Sequence, residues 1–188
     1  MYHTKSRASV FQRSPVSRAI GLERESHKML HDRERPHMTM RTPLGRQVTG
    51  RGLQTIVGAV SPSILPGQQL DADQQFPTSF LADLFGPDED WLIKGEEVGG
   101  SLLRELGLKG CMNAERALRE LVAWFDECHP DATSLELTNA DYRGADIALH
   151  VDYPPHFLLG IVRRLSRDTR AREVNVVVDD PYRFRVLF

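Results

Sequence analysis

The sequence predicts an α+β domain in which one four-stranded antiparallel sheet carries two main helices on one face. Apolar residues recur at helical spacing over 113–128 and again over about 155–168. Each of these stretches is followed by two segments in which apolar and polar residues alternate, as in half-buried strands. The order of elements is therefore αββ twice. Short extra helices are predicted before this unit, behind a disordered N-terminal tail.

The tail is predicted to span residues 1–75, and the α+β domain residues 76–188. Residues 1–70 hold eleven Lys or Arg against four Asp or Glu, whereas residues 71–188 hold thirteen against twenty-two. With few aromatic residues and no sustained period, the tail lacks the apolar surface needed to offset the entropy of ordering it. The run LQTIVGAV at 53–60 is an exception, because it could dock as a strand or a helical turn.

Three interpretations of the tail stay open. It is a solvated extension without a role, an export or import signal, or an upstream stretch preceding a true start at Met38 or Met40. Residues 1–22 favour the signal, because they contain four serines, four Lys or Arg and no acid. The excess of Arg over Lys in the whole chain suggests a bacterial source.

The expected location is the cytoplasm, with export from the bacterium or targeting by the N-terminal segment as the alternative. No apolar run approaches the ~18 residues that span a membrane, and the first residues lack the apolar core of a secretory signal. Cys111 and Cys128 flank a predicted helix that would hold them roughly 20 Å apart, which is too far for a disulfide.

The short helices are predicted at 77–86 and 99–110. In PTSFLADLFG, Thr78 or Ser79 can cap a helix that ends at Gly86. In GGSLLRELGLKG, Ser101 is the candidate N-cap and Gly107 the stop. The acidic and aromatic stretch 79–93 is predicted to be a short amphipathic helix and loop packed on the domain, and the alternative is a segment that folds on binding a partner groove.

The two αββ units follow from capping and alternation. Asn113 is the predicted N-cap of the first main helix, which ends before Pro130, and the hairpin 133–153 follows it. Pro155 suits the first turn of the second helix. The last hairpin has one strand with alternating Val174, Val176 and Val178, and a second with alternating Tyr182, Phe184 and Val186.

His150 and Asp152, in the segment HVDYPPHF, are candidates for a metal or catalytic pair. Two residues apart on a strand, they point the same way with about 6.8 Å between their Cα atoms. The alternation predicts that both are exposed on the sheet face opposite the helices. Zinc needs at least three protein ligands, and His156 is expected beyond the strand, on the helix side. We therefore predict no metal, no cofactor and no catalytic residue, and keep a metal-dependent enzyme as an alternative.

Five arginines between Arg163 and Arg172 form the main basic cluster of the acidic domain. Arg163, Arg167 and Arg170 are predicted to share a helix face. Cations near a helix C-terminus complement its dipole, and the same cluster could dock an acidic partner or a phosphate backbone.

The predicted function is a non-catalytic protein-interaction or adaptor protein of bacterial type, which is an exported effector if the N-terminal segment is an export signal. The chain has no Gly-x-Ser-x-Gly, P-loop or dinucleotide-binding motif. A protein partner or a homodimer is expected, and a small nucleic-acid-associated regulator is the other alternative. The predicted partner-binding residues lie on the arginine cluster and on the open sheet face; they are Arg163, Arg167, Arg170, His150, Asp152, Arg183 and Arg185.

Overall fold

The computed structural model describes residues 43–63, 70–86, 90–177 and 179–188. The roles predicted for the tail concern residues 1–42, which lie outside the described residues. The elements are β1 (Gln47–Thr49), α1 (Gly50–Val60), β2 (Gln75–Pro77), α2 (Ser79–Phe85), α3 (Trp91–Glu105), α4 (Ala114–Cys128), β3 (Leu135–Asp141), β4 (Gly144–Leu149), α5 (Pro155–Asp168), β5 (Glu173–Val177) and β6 (Asp180–Leu187).

The predicted α+β architecture is confirmed. Strands β3 to β6 form one antiparallel sheet in the order β3-β4-β6-β5, and helices α4 and α5 pack against it. The two αββ units therefore place their second strands, β4 and β6, side by side at the centre of the sheet. Their pairing sets Ile147 opposite Phe184 and Ala145 opposite Val186, and all four side chains are buried.

Local chemistry explains why the main helices are where the sequence predicts them. The Asn113 side chain accepts a hydrogen bond from the backbone N–H of Arg116 at 2.9 Å, which satisfies one of the unpaired donors of the first turn of α4. Helix α5 begins at Pro155, whose missing N–H costs nothing there. The apolar stripes of both helices are buried against the sheet.

The predicted domain start near residue 76 is wrong. Residues 45–60 already belong to the fold, because Val48, Leu53, Ile56 and Val57 are buried in its core. The backbone N–H of Gly45 donates to the carbonyl oxygen of His150, and the N–H of Asp152 donates to that of Gly45. The run at 53–60 forms most of a full helix, α1, rather than a strand or a single turn.

Helix α3 begins at Trp91, whereas the sequence predicts a helix from 99. The Asp90 carboxylate accepts a hydrogen bond from the backbone N–H of Ile93 and so caps the N-terminus of α3. Gly95 and Gly99 resemble helix breakers, but they allow α3 to lie directly on α5. A side chain at Gly95 would collide with the carbonyl oxygen of Phe157, and one at Gly160 with that of Leu92. Close packing therefore outweighs the low helix propensity of glycine.

The predicted helix at 77–86 is present as α2, but Thr78 does not cap it: its hydroxyl donates to the carbonyl oxygen of Arg46. The predicted Val178 lies outside the described residues. No helix in the described part of the chain is both long and apolar enough to cross a membrane.

Candidate functional site: the open face of the sheet

The open face is the side of the four-stranded sheet opposite α4 and α5. Alternation along the paired strands β4 and β6 sends Asp146, Ala148, Arg183 and Arg185 to this side. Strand β3 adds Glu136 and Thr138, which lie opposite Ala148 and Asp146. The sequence predicts this division between the two faces, and the strand registers agree with it.

Arg183, on β6, reaches across β4 to side chains of β3 on the open face. Its guanidinium donates to the Glu136 carboxylate at 2.6 Å and to the Thr138 hydroxyl at 3.4 Å, both on β3. It also lies 3.9 Å from the carboxylate of Asp180, at the start of β6. Only 28% of the Arg183 side chain is exposed. This arginine is therefore held in one position by three oxygen-bearing neighbours, rather than extending freely into solvent.

A second charged group lies beside it. Arg185 donates to one oxygen of the Asp146 carboxylate at 2.9 Å, and the Asn139 side-chain amide donates to the other at 2.8 Å. Burial opposes ionisation of Asp146. The hydrogen bonds from Asn139 and Arg185 and the positive charges of Arg185 and Arg183 outweigh it, and they lower the pKa of Asp146. This carboxylate stays charged, and its position is fixed.

The prediction that His150 is exposed is wrong. Only 4% of the residue is accessible. Its Nδ1 lies 2.9 Å from the carbonyl oxygen of Ser134, and its Nε2 lies 2.9 Å from a carboxylate oxygen of Asp180. Strand alternation gives the correct side of the sheet, but it does not predict that neighbouring residues cover the ring there.

Both ring nitrogens of His150 face hydrogen-bond acceptors. A carbonyl and a carboxylate can only accept, so each nitrogen must carry a proton when both bonds are made. While these bonds exist, His150 has no nitrogen lone pair to bind a metal or to take a proton from a substrate. The His150 ring is therefore engaged by the Ser134 carbonyl and the Asp180 carboxylate within the protein itself.

Asp152 does not join His150 in a site. Its side chain is 48% exposed, and its carboxylate lies 3.7 Å from the guanidinium of Arg46. Asp152 and Asp180 both act on the phenol of Tyr182. Burial raises the pKa of this phenol, and the negative charges of the two carboxylates raise it further. The predicted pair is thus divided between a buried histidine and a surface carboxylate.

The other histidines lie elsewhere. His129 is fully buried at the end of α4. Its Nδ1 lies 2.9 Å from the carbonyl oxygen of Phe125, and its Nε2 lies 2.8 Å from the hydroxyl of Tyr153. Burial lowers the pKa of His129 to about 4. His156 is exposed in the first turn of α5. Within the described ranges, no three His, Cys, Asp or Glu side chains are placed to hold a metal ion.

The arginine cluster is less basic than its sequence suggests. Arg164 donates to the Asp168 carboxylate at 2.9 Å, and Arg167 lies 3.7 Å from that of Glu96 on α3. The prediction that Arg170 shares a helix face with Arg163 and Arg167 is wrong, because α5 ends at Asp168 and Arg170 has a positive φ of 69°. Acids from two helices therefore offset part of the positive charge.

One open cleft of about 370 Å³ lies near the C-terminal ends of α3 and α5. Arg104, Lys109 and Arg164 line it together with Asp168. Cations at this place complement the dipoles of both helices. The same carbonyl ends of the helices disfavour a bound anion.

Asp180 is not among the predicted partner-binding residues, although it connects several groups of the open face. Asp180 holds His150, contacts Arg183 and accepts from the backbone N–H of Tyr182 at 3.0 Å. Its role depends on β4 lying beside β6, and those strands belong to different αββ units. No local signal in the sequence marks that pairing.

Comparison with protein-family models, with curated proteins and with solved structures finds no match to this chain.

Proposed function

We propose that this protein is a non-catalytic protein-interaction module that binds a protein partner on the open face of its sheet. The observation that carries the proposal is the network of charged side chains on that face. Arg183 is held by a carboxylate of β3, and Arg185 by a carboxylate of the neighbouring strand β4. Side chains that are already ordered lose little further freedom when a partner binds, so a larger share of the contact energy appears as affinity.

The balance of charge supports a protein partner. The carboxylates of Glu136, Asp146 and Asp180 alternate with the cations of Arg183 and Arg185. Such a pattern offers donors and acceptors to a mixed polar surface and selects against wrong partners by placing like charges together. A polyphosphate backbone would instead meet three carboxylates, so the nucleic-acid alternative draws no support from this face.

The hydrogen-bond partners of His150 support a non-catalytic role. Both of its nitrogens contact acceptors of the protein itself, and its ring is covered. A general base needs a nitrogen lone pair within reach of a substrate proton. The assignments to a bacterial adaptor or an exported effector concern the origin of the chain and its first residues, and they stay predictions.

Two matched charge reversals test the proposal. Glu136→Arg changes the open face, where Glu136 pairs with Arg183 at 2.6 Å. Glu115→Arg makes the same change on α4, where Glu115 pairs with Arg119 at 2.7 Å. Both carboxylates are partly exposed, with side-chain accessibilities of 46% and 38%. The two variants should therefore lose similar stability, which thermal unfolding will check.

The readout is quantitative affinity co-purification of the full chain from cells that express it. We expect proteins that are retained by the wild type and by Glu115→Arg but reduced about ten-fold or more by Glu136→Arg. Equal retention by all three proteins would contradict the proposed surface. Retention of nucleic acid that falls steeply with salt would favour the nucleic-acid alternative instead.

A further inference from the structure

A cleft of about 520 Å³ lies at one end of the sheet, where the two αββ units meet. The start of α4 and the turn between β3 and β4 line it from the first unit, and the residues after α5 line it from the second. Its volume lies within the range of about 300–1,000 Å³ that is usual for ligand clefts. It shares no lining residue with the open face. The cleft is therefore a separate surface with room for a large side chain of a partner.

Two apolar side chains of this cleft are exposed to solvent. Tyr142 is 80% exposed and Met112 is 54% exposed. They are two of the five large hydrophobic residues that are exposed in the described part of the chain, and the half-buried Phe188 lines the same cleft. Single exposed apolar residues are normal on a protein surface, whereas apolar residues that meet at one cleft indicate an interaction site.

Tyr142 is not needed by the turn in which it lies. The turn between β3 and β4 is closed by the Asp141 carboxylate, which accepts from the backbone N–H groups of Arg143 at 2.7 Å and Gly144 at 3.1 Å. Small polar residues are sufficient in such a turn. Nε of Arg143 donates to the Tyr142 hydroxyl at 2.8 Å, and its guanidinium lies 5.1 Å from the centre of the ring. This aromatic side chain is therefore ordered before a partner binds, which lowers the entropic cost of contact.

Three more polar side chains of the cleft are engaged within the domain. Asn113 caps α4, the Thr169 hydroxyl donates to the carbonyl oxygen of Leu165 at 2.9 Å, and the Glu115 carboxylate accepts from Arg119 at 2.7 Å. The domain itself thus uses most of the hydrogen-bonding capacity of the lining. An apolar side chain that enters the cleft displaces few unpaired polar groups, so the lining favours an apolar occupant.

Arg170 is the exception among the polar residues of the cleft. It is exposed, and within the described ranges its guanidinium makes no hydrogen bond or ion pair. Its φ is 69°, and the N–H of Ala171 donates to the carbonyl oxygen of Ser166, as in the glycine-terminated ends of many helices. Glycine suits this backbone best, because it has no Cβ. An arginine there instead supplies the cleft with a free cation.

We propose that this cleft binds a short segment of a partner protein that carries a large apolar side chain beside a carboxylate. The apolar side chain packs against Met112 and Tyr142, and the carboxylate pairs with Arg170. The acids that line the cleft are already engaged by the domain, so Arg170 is the charge left to balance. Tyrosine, methionine and arginine are also the residue types in which protein interfaces are enriched. Because the cleft is separate from the open face, this site and the proposed function can fail independently.

Peptide selection tests the chemistry of the occupant. Random peptides displayed on phage are first depleted on Arg170→Gly, which removes every binder that does not depend on the arginine. They are then selected on the full wild-type chain. We expect the enriched peptides to share an Asp or Glu beside Phe, Leu, Met or Trp. No enrichment, or enrichment of basic peptides, would overturn the proposal.

The affinity of an enriched peptide, measured by fluorescence anisotropy, tests the site. Arg170→Gly and Tyr142→Ser should each weaken binding about ten-fold or more. Arg163→Ala and Ile93→Ser are the matched controls, because they remove an exposed arginine of α5 and an exposed apolar residue of α3. Both controls should bind as the wild type does. Thermal unfolding should show Arg170→Gly to be at least as stable as the wild type, since glycine relieves the positive φ. Equal losses in the controls would refute the site.

Changing the peptide tests the pairing. Replacing its carboxylate by an amide should weaken binding as much as Arg170→Gly does, and combining the two changes should cost little more. Additive losses would refute the pair, and unchanged affinity of a peptide with alanine in place of its apolar residue would show a bare anion site instead. Self-association of the wild type that Arg170→Gly abolishes, measured by sedimentation, would assign the cleft to a second copy. Glu136→Arg should leave the peptide affinity unchanged, which separates this site from the open face.

Discussion

His129 and His150 are both buried, but the protein surrounds them with opposite hydrogen-bonding groups. His129 lies between an acceptor, the carbonyl of Phe125, and a hydroxyl that can donate, that of Tyr153. His150 lies between two acceptors, the carbonyl of Ser134 and the carboxylate of Asp180. The first environment suits a neutral ring protonated at Nδ1, whereas the second offers only acceptors to both ring nitrogens.

The comparison shows that burial alone does not determine the state of a histidine. Burial favours the neutral ring at His129, because its environment holds no carboxylate in direct contact and stacks Phe125 at 5.0 Å. At His150 a carboxylate lies at hydrogen-bond distance, so the ring belongs to a chain of polar contacts that runs through Asp180 to Arg183. One histidine is thus core, and the other belongs to the proposed binding face.

Acid should produce the largest effect, through His129. Its pKa is about 4 in the folded protein against 6.5 for an ordinary histidine, so the unfolded chain binds the extra proton between these values. The contribution of His129 to the free energy of unfolding is therefore fully present above pH ~6.5. It is lost as the pH drops toward ~4, which lowers the free energy of unfolding by on the order of 3 kcal/mol. Urea unfolding as a function of pH will measure it.

The control for this prediction is His129→Gln, which cannot titrate. Its free energy of unfolding should depend less on pH across the same window, whatever its absolute stability. Equal pH dependence of wild type and variant would show that His129 is not held neutral by burial.

The contact between His150 and Asp180 should give a smaller but distinct effect. His150→Gln and Asp180→Asn are each expected to cost about 1–3 kcal/mol, because each leaves the remaining partner with a weaker hydrogen bond away from bulk solvent. Their coupling in a double-mutant cycle should reach roughly 1–2 kcal/mol. The exposed pair Glu115–Arg119 is the control cycle, with coupling below about 0.5 kcal/mol. Coupling as small as the control would mean that the His150–Asp180 contact adds nothing specific to the free energy of unfolding.

Tyr153→Phe should separate the two environments further. The variant removes the hydroxyl that contacts Nε2 of His129 and leaves that nitrogen buried without a donor. We expect a loss of about 1 kcal/mol and a rise in the pKa of His129, because its neutral form loses a hydrogen bond. Titration followed by NMR will measure the shift, and the His150 signals should not change. An unchanged His129 titration would argue against the bond.

His156 should have the smallest effect. It is exposed in the first turn of α5, away from both environments. His156→Gln should change stability by less than about 0.5 kcal/mol and leave the pH dependence of unfolding as it is. A larger change would reveal an interaction of this side chain that its exposure does not suggest.

Much of the fold could be predicted, because its signals are local. Asn113 and Pro155 mark helix starts through their own backbone chemistry, and the alternation of Phe184 and Val186 marks a strand. The errors arose where packing overrides such signals. Gly95 and Gly99 lowered the helix propensity of a segment that close contact with α5 makes helical. The 53–60 run belongs to a tail by composition, yet Ile56 and Val57 find a core to enter.

The candidate site was harder to predict, for a related reason. Alternation placed Arg183 and Arg185 on the open face, since a strand's side chains change sides at every residue. Alternation says nothing about which residue lies across from them. Asp180 reaches His150 over thirty positions of the chain, and Arg46 reaches Asp152 from a segment assigned to the tail.

By itself, the sequence determined the order αββαββ, the buried stripe of each main helix, and the two sides of each strand. These follow from periodicity and capping, which act over one or two turns of chain. Only the tertiary structure decided that β4 lies beside β6, that α3 lies against α5, and that His129 and His150 have opposite surroundings. The physical reason is that the hydrogen bonds of a buried side chain are set by its neighbours in space, and long-range pairing brings those neighbours together.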